Sequence, residues 1–454
     1  MDEVAIVGAG LAGCLLATLL GRRGIPVTLY ERRPDPRVAG AERGRSINLA
    51  VSARGLDALE RVGLRDQALE RALPMHGRMV HPIQTASGRQ SFRPYSADRQ
   101  RAINSISRAE LNHTLLDTAE QSKGVSVRFE HRLAELDLDG ARSGRLHFET
   151  PVGTTEARAG IVLASDGSYS AARRAVTFRQ GFDFSQDYLE HGYKELTIPA
   201  RDGDFALDPD ALHIWPRGSS MMIALPNLDR SFTCTLFWPK DDFAALPTAD
   251  LVERYFRQHY PDVVGLMPAL GDDFAHNPVG SLVTVRCWPW VHHGAGATLA
   301  MVGDAAHAIV PFFGQGANCA FEDCIEIDRC LSETSGDWSA ALATYEQRRK
   351  VNCDTIADMA LDNFVEMRDR VNSRVFQAKT ALQHALERRL PGHYVSRYEL
   401  VSFTTVPYSE IPGRMRRQHR ATAAVLAGAA IAAIRVGRAV SRSSAPPTDP
   451  GTRA

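Results

Sequence analysis

Four short runs of consecutive apolar residues stand out along the chain, each ending abruptly at a glycine or an acid. They are Val4-Ala5-Ile6-Val7 before Gly8, Pro26-Val27-Thr28-Leu29-Tyr30 before Glu31, Ile161-Val162-Leu163-Ala164 before Ser165-Asp166-Gly167, and Leu299-Ala300-Met301-Val302 before Gly303-Asp304. An apolar run without alternation predicts a strand covered on both faces, the habit of a parallel sheet. Cys14 to Leu20 then predicts a helix directly behind the first strand. From about 181 to 284 the pattern turns to alternation, which predicts antiparallel strands with one buried face. From about 346 the period lengthens: Ile356, Met359 and Ala360, and later Val375, Ala378 and Leu382, fall at helical spacing.

Composition narrows the class. The chain has 454 residues, enough for two or three domains, and its 53 Lys and Arg balance 53 Asp and Glu, so no global field attracts nucleic acid. The seven cysteines are scattered without C-x-x-C and read as reduced thiols of a cytoplasmic protein. The fifteen histidines form no H-E-x-x-H and no Cys/His cluster, so no metal site is expected.

Gly8, Gly10 and Gly13 complete G-x-G-x-x-G between the first strand and its helix. This arrangement, with Leu11 and Ala12 opening the helix, turns free backbone amides toward a diphosphate. Glu31, about twenty residues on, is placed to accept ribose hydroxyls. At this point NAD and FAD are both open. Two further strand ends decide between them: Asp166 lies at an Asp-Gly break, and Asp304 can bond a polyol before Gly314-Gln315-Gly316-Ala317-Asn318 opens a helix toward an electron-rich ring. A nicotinamide enzyme has no need of this second anchor, so noncovalent FAD is the expected cofactor.

These elements resemble the FAD-dependent aromatic hydroxylases of the glutathione-reductase superfamily. Arg43-Gly44-Arg45-Ser46-Ile47-Asn48-Leu49-Ala50, His191-Gly192-Tyr193-Lys194-Glu195-Leu196-Thr197-Ile198-Pro199, Leu212-His213-Ile214-Trp215-Pro216-Arg217, Phe232-Thr233-Cys234-Thr235-Leu236-Phe237 and His307-Ala308-Ile309-Val310-Pro311-Phe312-Phe313-Gly314-Gln315-Gly316 narrow the likeness to the kynurenine 3-monooxygenase family, from Val4 to about Tyr408. The chain departs from that family at Ala317, where Met is usual, and at Cys319, where a small residue is usual. Trp288-Pro289-Trp290 suggests a flavin halogenase, but His292 and His293 stand where that motif needs Ile and Pro.

The resemblance implies an α/β protein: a Rossmann-like FAD-binding domain of the glutathione-reductase type, an antiparallel-sheet substrate domain and a helical C-terminal region. The expected boundaries are 1–72, 100–180 and 285–345 for the discontinuous FAD-binding domain, 73–99 and 181–284 for the substrate domain, 346–440 for the helical region and 441–454 for a disordered tail. It implies NADPH or NADH and O2 as cosubstrates, a small aromatic substrate, and oxygen transfer through a flavin C4a-hydroperoxide. Arg78 matches the carboxylate-binding arginine, Tyr95, Asn363 and Tyr398 complete the clamp, and Arg108 helps hold the FAD diphosphate and ribose. Glu366 shares a helix face with Asn363 and is a candidate to orient its amide or a tyrosine. Met221 to Leu225, Phe237, Pro311 and Phe312 are candidates for the ring pocket.

No residue is assigned as catalytic, because an aniline nitrogen already activates its ortho carbon. His307 reads as structural or flavin-adjacent, and Cys319 as a packed thiol. A substituted kynurenine as substrate, and a flavin-binding scaffold without turnover, stay open as alternatives. In the tail, the uncharged run Ala421 to Ile434 is flanked by Arg414, Arg416, Arg417 and Arg420 and by Arg435, Arg438 and Arg442. As a helix it spans roughly 21 Å, short of the ~30 Å bilayer core. Eukaryotic relatives are membrane-anchored through this region, whereas this run reads as a packed or surface-lying helix with weak peripheral membrane contact as the further option.

Overall fold

The computed structural model describes residues 3–39, 48–82, 90–96, 100–366 and 394–443. The stretch 43–47, the stripe Val375, Ala378 and Leu382, and residues 444–454 lie outside them.

The four apolar runs become neighbouring strands of one six-stranded sheet. Its order is Val291–His293, Thr298–Met301, Ile161–Ala164, Val4–Val7, Val27–Tyr30, Val125–Arg128. All pairings are parallel except that of Val291–His293 with Thr298–Met301. Val7 pairs with both Tyr30 and Ala164, and Ala164 with Met301, so four strands finish in one row. That register delivers Gly8, Glu31, Asp166 and Asp304 to a single edge of the sheet. Val4, Ile6, Val162 and Leu163 are buried, as unalternated runs require.

A seven-stranded sheet follows the order Gly280–Trp288, Asp183–Ile198, Phe232–Pro239, Ser220–Pro226, Ala211–Arg217, Gly77–Val80, Ser91–Pro94. Alternation sorts its two faces. Ile214, Met221 and Phe237 join the main core, while Trp215, Met222, Leu236 and Trp238 join a second core under the helices Ala249–His259 and Leu270–His276. The sheet is antiparallel except where Gly77–Val80 meets Ala211–Arg217, which pair in parallel. Those two strands come from distant parts of the chain, so no hairpin forces them antiparallel. Two smaller three-stranded sheets complete the β structure of the described residues: Asn48–Val51, Ile103–Ser107, Ala72–Met75 in that order, and the meander Arg132–Asp137, Gly144–Thr150, Gly153–Ala159.

The C-terminal part is helical, in Trp338–Val365, Arg397–Ser402 and Ile411–Ser443. Ile356, Met359 and Ala360 are buried. The last helix runs through the boundary expected at 440 to Ser443, because nothing between Ile434 and Ser443 breaks it. Val425, Ile431 and Ile434 are 70%, 53% and 56% exposed, which corrects the packed-helix option for the Ala-rich run. Among the described residues no helix is long and apolar enough to cross a membrane.

Gly13 shows how tightly the first turn is built. A Cβ there would stand 2.0 Å from the Gly8 carbonyl oxygen, which cannot yield without moving the strand end. Gly13→Val is expected to lose about 3 kcal/mol or more by overpacking. Thermal unfolding of the purified variant, or its absence from the soluble fraction, is the measurement; an unchanged Tm would contradict this packing.

Candidate functional site

The row of strand ends forms the first half of the site. Gly8 adopts φ 102°, and a Cβ on it would lie 2.6 Å from the Ser165 carbonyl oxygen, so only glycine lets these two strand ends approach. Ser165 Oγ donates to the Gly8 carbonyl at 2.8 Å and locks the approach. Gly10 differs: a Cβ there meets no atom within 4 Å. The helix Leu11–Arg22 starts on Gly10 with no side-chain cap and no acid in its first turn, leaving its amides at Leu11 and Ala12 available to an anion. Glu31 is buried, and its carboxylate accepts from the Ala9 amide at 2.9 Å and from Arg33 Nε at 2.8 Å. Burial works against its charge, yet the Arg33 and Ala9 hydrogen bonds hold it below the usual carboxylate range.

Asp166 Oδ2 accepts from the amides of Ala171 and Ala172 at 2.7 and 3.1 Å. Its Oδ1 is buried without a partner, and burial raises its pKa. An orphaned acceptor on this edge suits a ligand hydroxyl. Asp304 is exposed at the same edge, at the start of Asp304–His307. Gly316 and Ala317 are partly open at the start of the helix Gly316–Glu333. The Asn318 side chain is committed elsewhere: it donates to the carbonyls of Ala50 and Gly314 at 2.9 and 2.8 Å and accepts from the Ser52 amide at 3.0 Å. It braces the loop, so any contact to a ring must come from its backbone. Arg108 is exposed at the first position of Arg108–Gln121. These groups fit a dinucleotide of the FAD type: a cradle that a side chain at Gly10 would fill, free helix amides, and acids at three strand ends.

The second half is a buried cluster around Arg78. Its guanidinium carbon lies 4.3 Å from the Tyr398 ring centre and 5.7 Å from that of Tyr95, and the two rings stack at 5.0 Å. Met75, Ile103 and Leu225 are buried around them, with Leu212, Ile223 and Phe403 alongside. Arg78 Nε is buried without a partner, as are Tyr95 Oη and His76 Nδ1. Among the described residues no carboxylate pairs with Arg78; burial acts against its charge, but Tyr398 and Tyr95 outweigh it and raise its pKa. Burial and Tyr398 push the Tyr95 phenol well up, so it stays a hydrogen-bond donor.

Arg93 is the feature that sequence reasoning missed. It is the register partner of Arg78 across Gly77–Val80 and Ser91–Pro94, and burial together with the Arg78 charge lowers its pKa. Like charges directly opposite are unfavourable unless an anion comes between them. Arg93-Pro94-Tyr95 contains the signal, but only the strand register reveals it.

Asn363 and Glu366 are placed differently from the other clamp residues. Asn363 is buried and donates to the Phe312 carbonyl at 2.7 Å, where Phe312 stacks on Phe364 at 4.4 Å and meets Phe237 at 5.3 Å. Glu366 accepts from Arg397 at 2.8 Å rather than bonding Asn363, and so steadies the residue next to Tyr398. Met221 is buried in the same core as Phe237 and Phe312. His307 is buried with Nε2 2.5 Å from Asp323 Oδ2, a position behind the strand end. Trp290 is fully buried, its indole donating to the Cys287 carbonyl at 2.8 Å, so it belongs to the core, whereas Trp288 is 38% exposed.

Comparison with known proteins agrees with this geometry. The family described as FAD binding domain matches residues 1–360. The chain is 47% identical over 411 residues to a kynurenine 3-monooxygenase of Myxococcus xanthus (strain DK1622), covering 90% of this chain and 87% of that one. It is 42% identical over 422 residues to a kynurenine 3-monooxygenase of Dictyostelium discoideum, covering 89% of each. A tetrameric form of 2-methyl-3-hydroxypyridine-5-carboxylic acid oxygenase shares the fold at a TM-score of 0.65 and 20% identity, over 85% of this chain and 95% of that one. Similarity of this depth over nearly the whole length leaves one assignment: the chain belongs to the kynurenine 3-monooxygenases, within the FAD binding domain family.

Proposed function

We propose that this protein hydroxylates L-kynurenine to 3-hydroxykynurenine, using FAD, O2 and NADPH or NADH. The observation that carries this reading is Arg78, a guanidinium beside two stacked phenol rings with a buried, unpartnered Nε. An α-amino-acid carboxylate supplies the missing anion, and a guanidinium pairs its two oxygens. Tyr95 and Tyr398 donate from the sides, and Arg93 adds field. A substrate so anchored can lay its aromatic end against the apolar wall of Met221, Phe237 and Phe312, with Asn363 fixing the Phe312 carbonyl. FAD, when bound at the strand ends, supplies electron uptake from the nicotinamide and activation of O2.

The chain's own work is positioning and exclusion of water. The aniline nitrogen pushes electron density to the ortho carbon, so the pocket needs no base to deprotonate a phenol. In this reading residues 1–72, 100–180 and 285–345 form a FAD domain of the glutathione-reductase type, and 73–99 with 181–284 form the substrate domain over it. Gly8, Gly10, Leu11, Ala12, Gly13 and Arg108 serve the diphosphate side, Glu31 the ribose, and Asp166, Asp304, Gly316, Ala317 and Asn318 the polyol and ring. NAD(P)H oxidation stimulated by kynurenine, with one hydroxylated product per nicotinamide, tests the whole reading; oxidation without product would leave a scaffold or a different aromatic.

Two substitutions separate the halves. Gly10→Val places a side chain where the protein has only open space, so the protein should fold and purify colourless, while wild type is yellow with noncovalent FAD. An absorbance spectrum decides it. Arg78→Ala should keep FAD but lose about 1.5–3 kcal/mol of substrate binding, roughly ten- to a hundredfold in Kd. Flavin-perturbation titration with kynurenine measures this, and unchanged affinity would return Arg78 to a structural role.

For the tail we propose weak peripheral contact with anionic lipid, supported by exposed Val425, Ile431 and Ile434 beside exposed Arg420 and Arg435. The first turns of Ile411–Ser443 serve the body, since Gln418 accepts from the Val395 amide at 3.1 Å. A protein ending at Arg420 should therefore keep FAD and turnover and lose vesicle binding. Cosedimentation with anionic vesicles at low and high salt is the measurement, and full-length protein that ignores vesicles at low salt contradicts the proposal.

A further inference from the structure

Behind the strand end that carries Asp304, a dry cluster of charged and sulfur groups has no part in the proposed chemistry. Arg349 donates Nε to Asp323 at 2.7 Å, Nη1 to Glu322 at 3.0 Å, and Nη2 to the carbonyl and sulfur of Cys319 at 3.0 and 3.2 Å. Cys353 Sγ stands 3.6 Å from Cys319 Sγ and 3.6 Å from the same Nη2. His307 holds the other oxygen of Asp323. Cys319, Cys353 and Asp323 are completely buried, and His307 and Arg349 nearly so. All seven cysteines are free.

The cluster is electrically balanced with His307 and Cys319 both charged or both neutral, and their surroundings favour the charged pair. Arg349 and Arg54, which also pairs with Glu322, are two cations. Burial opposes a charge on His307, but Asp323 and Cys319 raise its pKa to about 10, making a third. Glu322 and Asp323 supply only two anions. Cys319 supplies the matching anion when His307 holds the proton: the hydrogen bond from Cys353 draws the thiol down to about 6 against burial, with Arg349 and His307 assisting. Cys353 moves the opposite way through burial and the Cys319 charge. The other five cysteines are all pushed up, burial being the largest cause. A thiolate 3.6 Å from a second thiol has the spacing of a reactive and a resolving cysteine, here in a buried site that peroxide must reach through the packed helices.

We propose that Cys319 and Cys353 are a peroxide-sensitive pair that closes into a disulfide between the helices Gly316–Glu333 and Trp338–Val365. The Cys319 thiolate attacks one oxygen of hydrogen peroxide, breaking the O–O bond; it becomes a sulfenic acid and the other oxygen leaves as hydroxide. Cys353 sulfur then attacks the Cys319 sulfur, its proton joins the departing hydroxyl, and water leaves. Two electrons pass from the sulfurs to the peroxide. The proton on His307 neutralises the first hydroxide, so the cluster stays electrically balanced. The bridge would tie the helix that begins at Gly316 to the helix that carries Asn363. A metal is the weaker occupant: the ligand atoms of His307, Cys319 and Cys353 lie within 4.8 Å of one another, but the Arg349 guanidinium already stands against both sulfurs.

The test treats the FAD-loaded enzyme with graded hydrogen peroxide, alkylates remaining thiols under denaturing conditions and maps peptides by mass spectrometry. The expected result is a peptide linking 319 to 353, loss of two alkylatable thiols, recovery with dithiothreitol, and oxidation at least tenfold faster than at the other five cysteines. Cys353→Ser should instead accumulate a dimedone-reactive Cys319 with no linked peptide. Seven thiols still alkylatable after peroxide has begun to oxidise methionines would overturn the proposal. So would a bridge between other cysteines, or stoichiometric zinc in the purified protein. Wild-type peptide mapping decides the matter even if the serine variant does not fold.

Discussion

Arg54 is the side chain on which the assembly of the site depends. It is fully buried, pairs with Glu322, donates to the backbone carbonyls of Val401 and Val406, and lies 3.8 Å over the Tyr408 ring. Tyr408 in turn donates to Gln315 at 2.8 Å. One guanidinium thus fastens the segment that carries Tyr398 to the helix that opens at Gly316. Glu322 is shared with Arg349, which reaches Asp323 and through it His307 and the Gly303 amide. Removing one member of a buried ion pair leaves the other unpaired, at a cost of about 3–5 kcal/mol. Here that loss would fall on both halves of the site together, because the chain of charge runs from the C-terminal segment to the Asp304 strand end.

The parts legible in the sequence are those made by local chain geometry. An unalternated apolar run ending in glycine or acid reports a buried parallel strand and what it delivers, so the row of Gly8, Glu31, Asp166 and Asp304 could be read without knowing the sheet order. Arg78 and Tyr95 were legible through resemblance, since a lone arginine carries no sign of whether an anion faces it. Arg93 was not legible, because its meaning comes from pairing register. The His307, Cys319 and Cys353 cluster escaped for a related reason. Cys319 and Cys353 lie on successive helices, and only helix packing brings their sulfurs together. Asn318, Asn363 and Glu366 show a third kind of gap. Their positions near the site were expected, but each spends its polar groups on the protein, at Ala50, Phe312 and Arg397 respectively. An amide or carboxylate near a site is more often a brace than a contact when a backbone group is within reach.

The electrostatics of the Arg78 cluster explain how such a site can choose its ligand before any chemistry occurs. Arg78 and Arg93 are register partners across two strands, and burial together with the Arg78 charge disfavours the charge on Arg93. Without an anion the pair is a local excess of positive charge among Met75, Ile103, Leu225 and two tyrosines. A neutral aromatic can satisfy the apolar wall but leaves this charge in place. A carboxylate brought to Arg78 would relieve it. In the proposed function, selectivity would rest on an unfavourable interaction that a bound anion removes, which discriminates more strongly than a hydrophobic pocket alone.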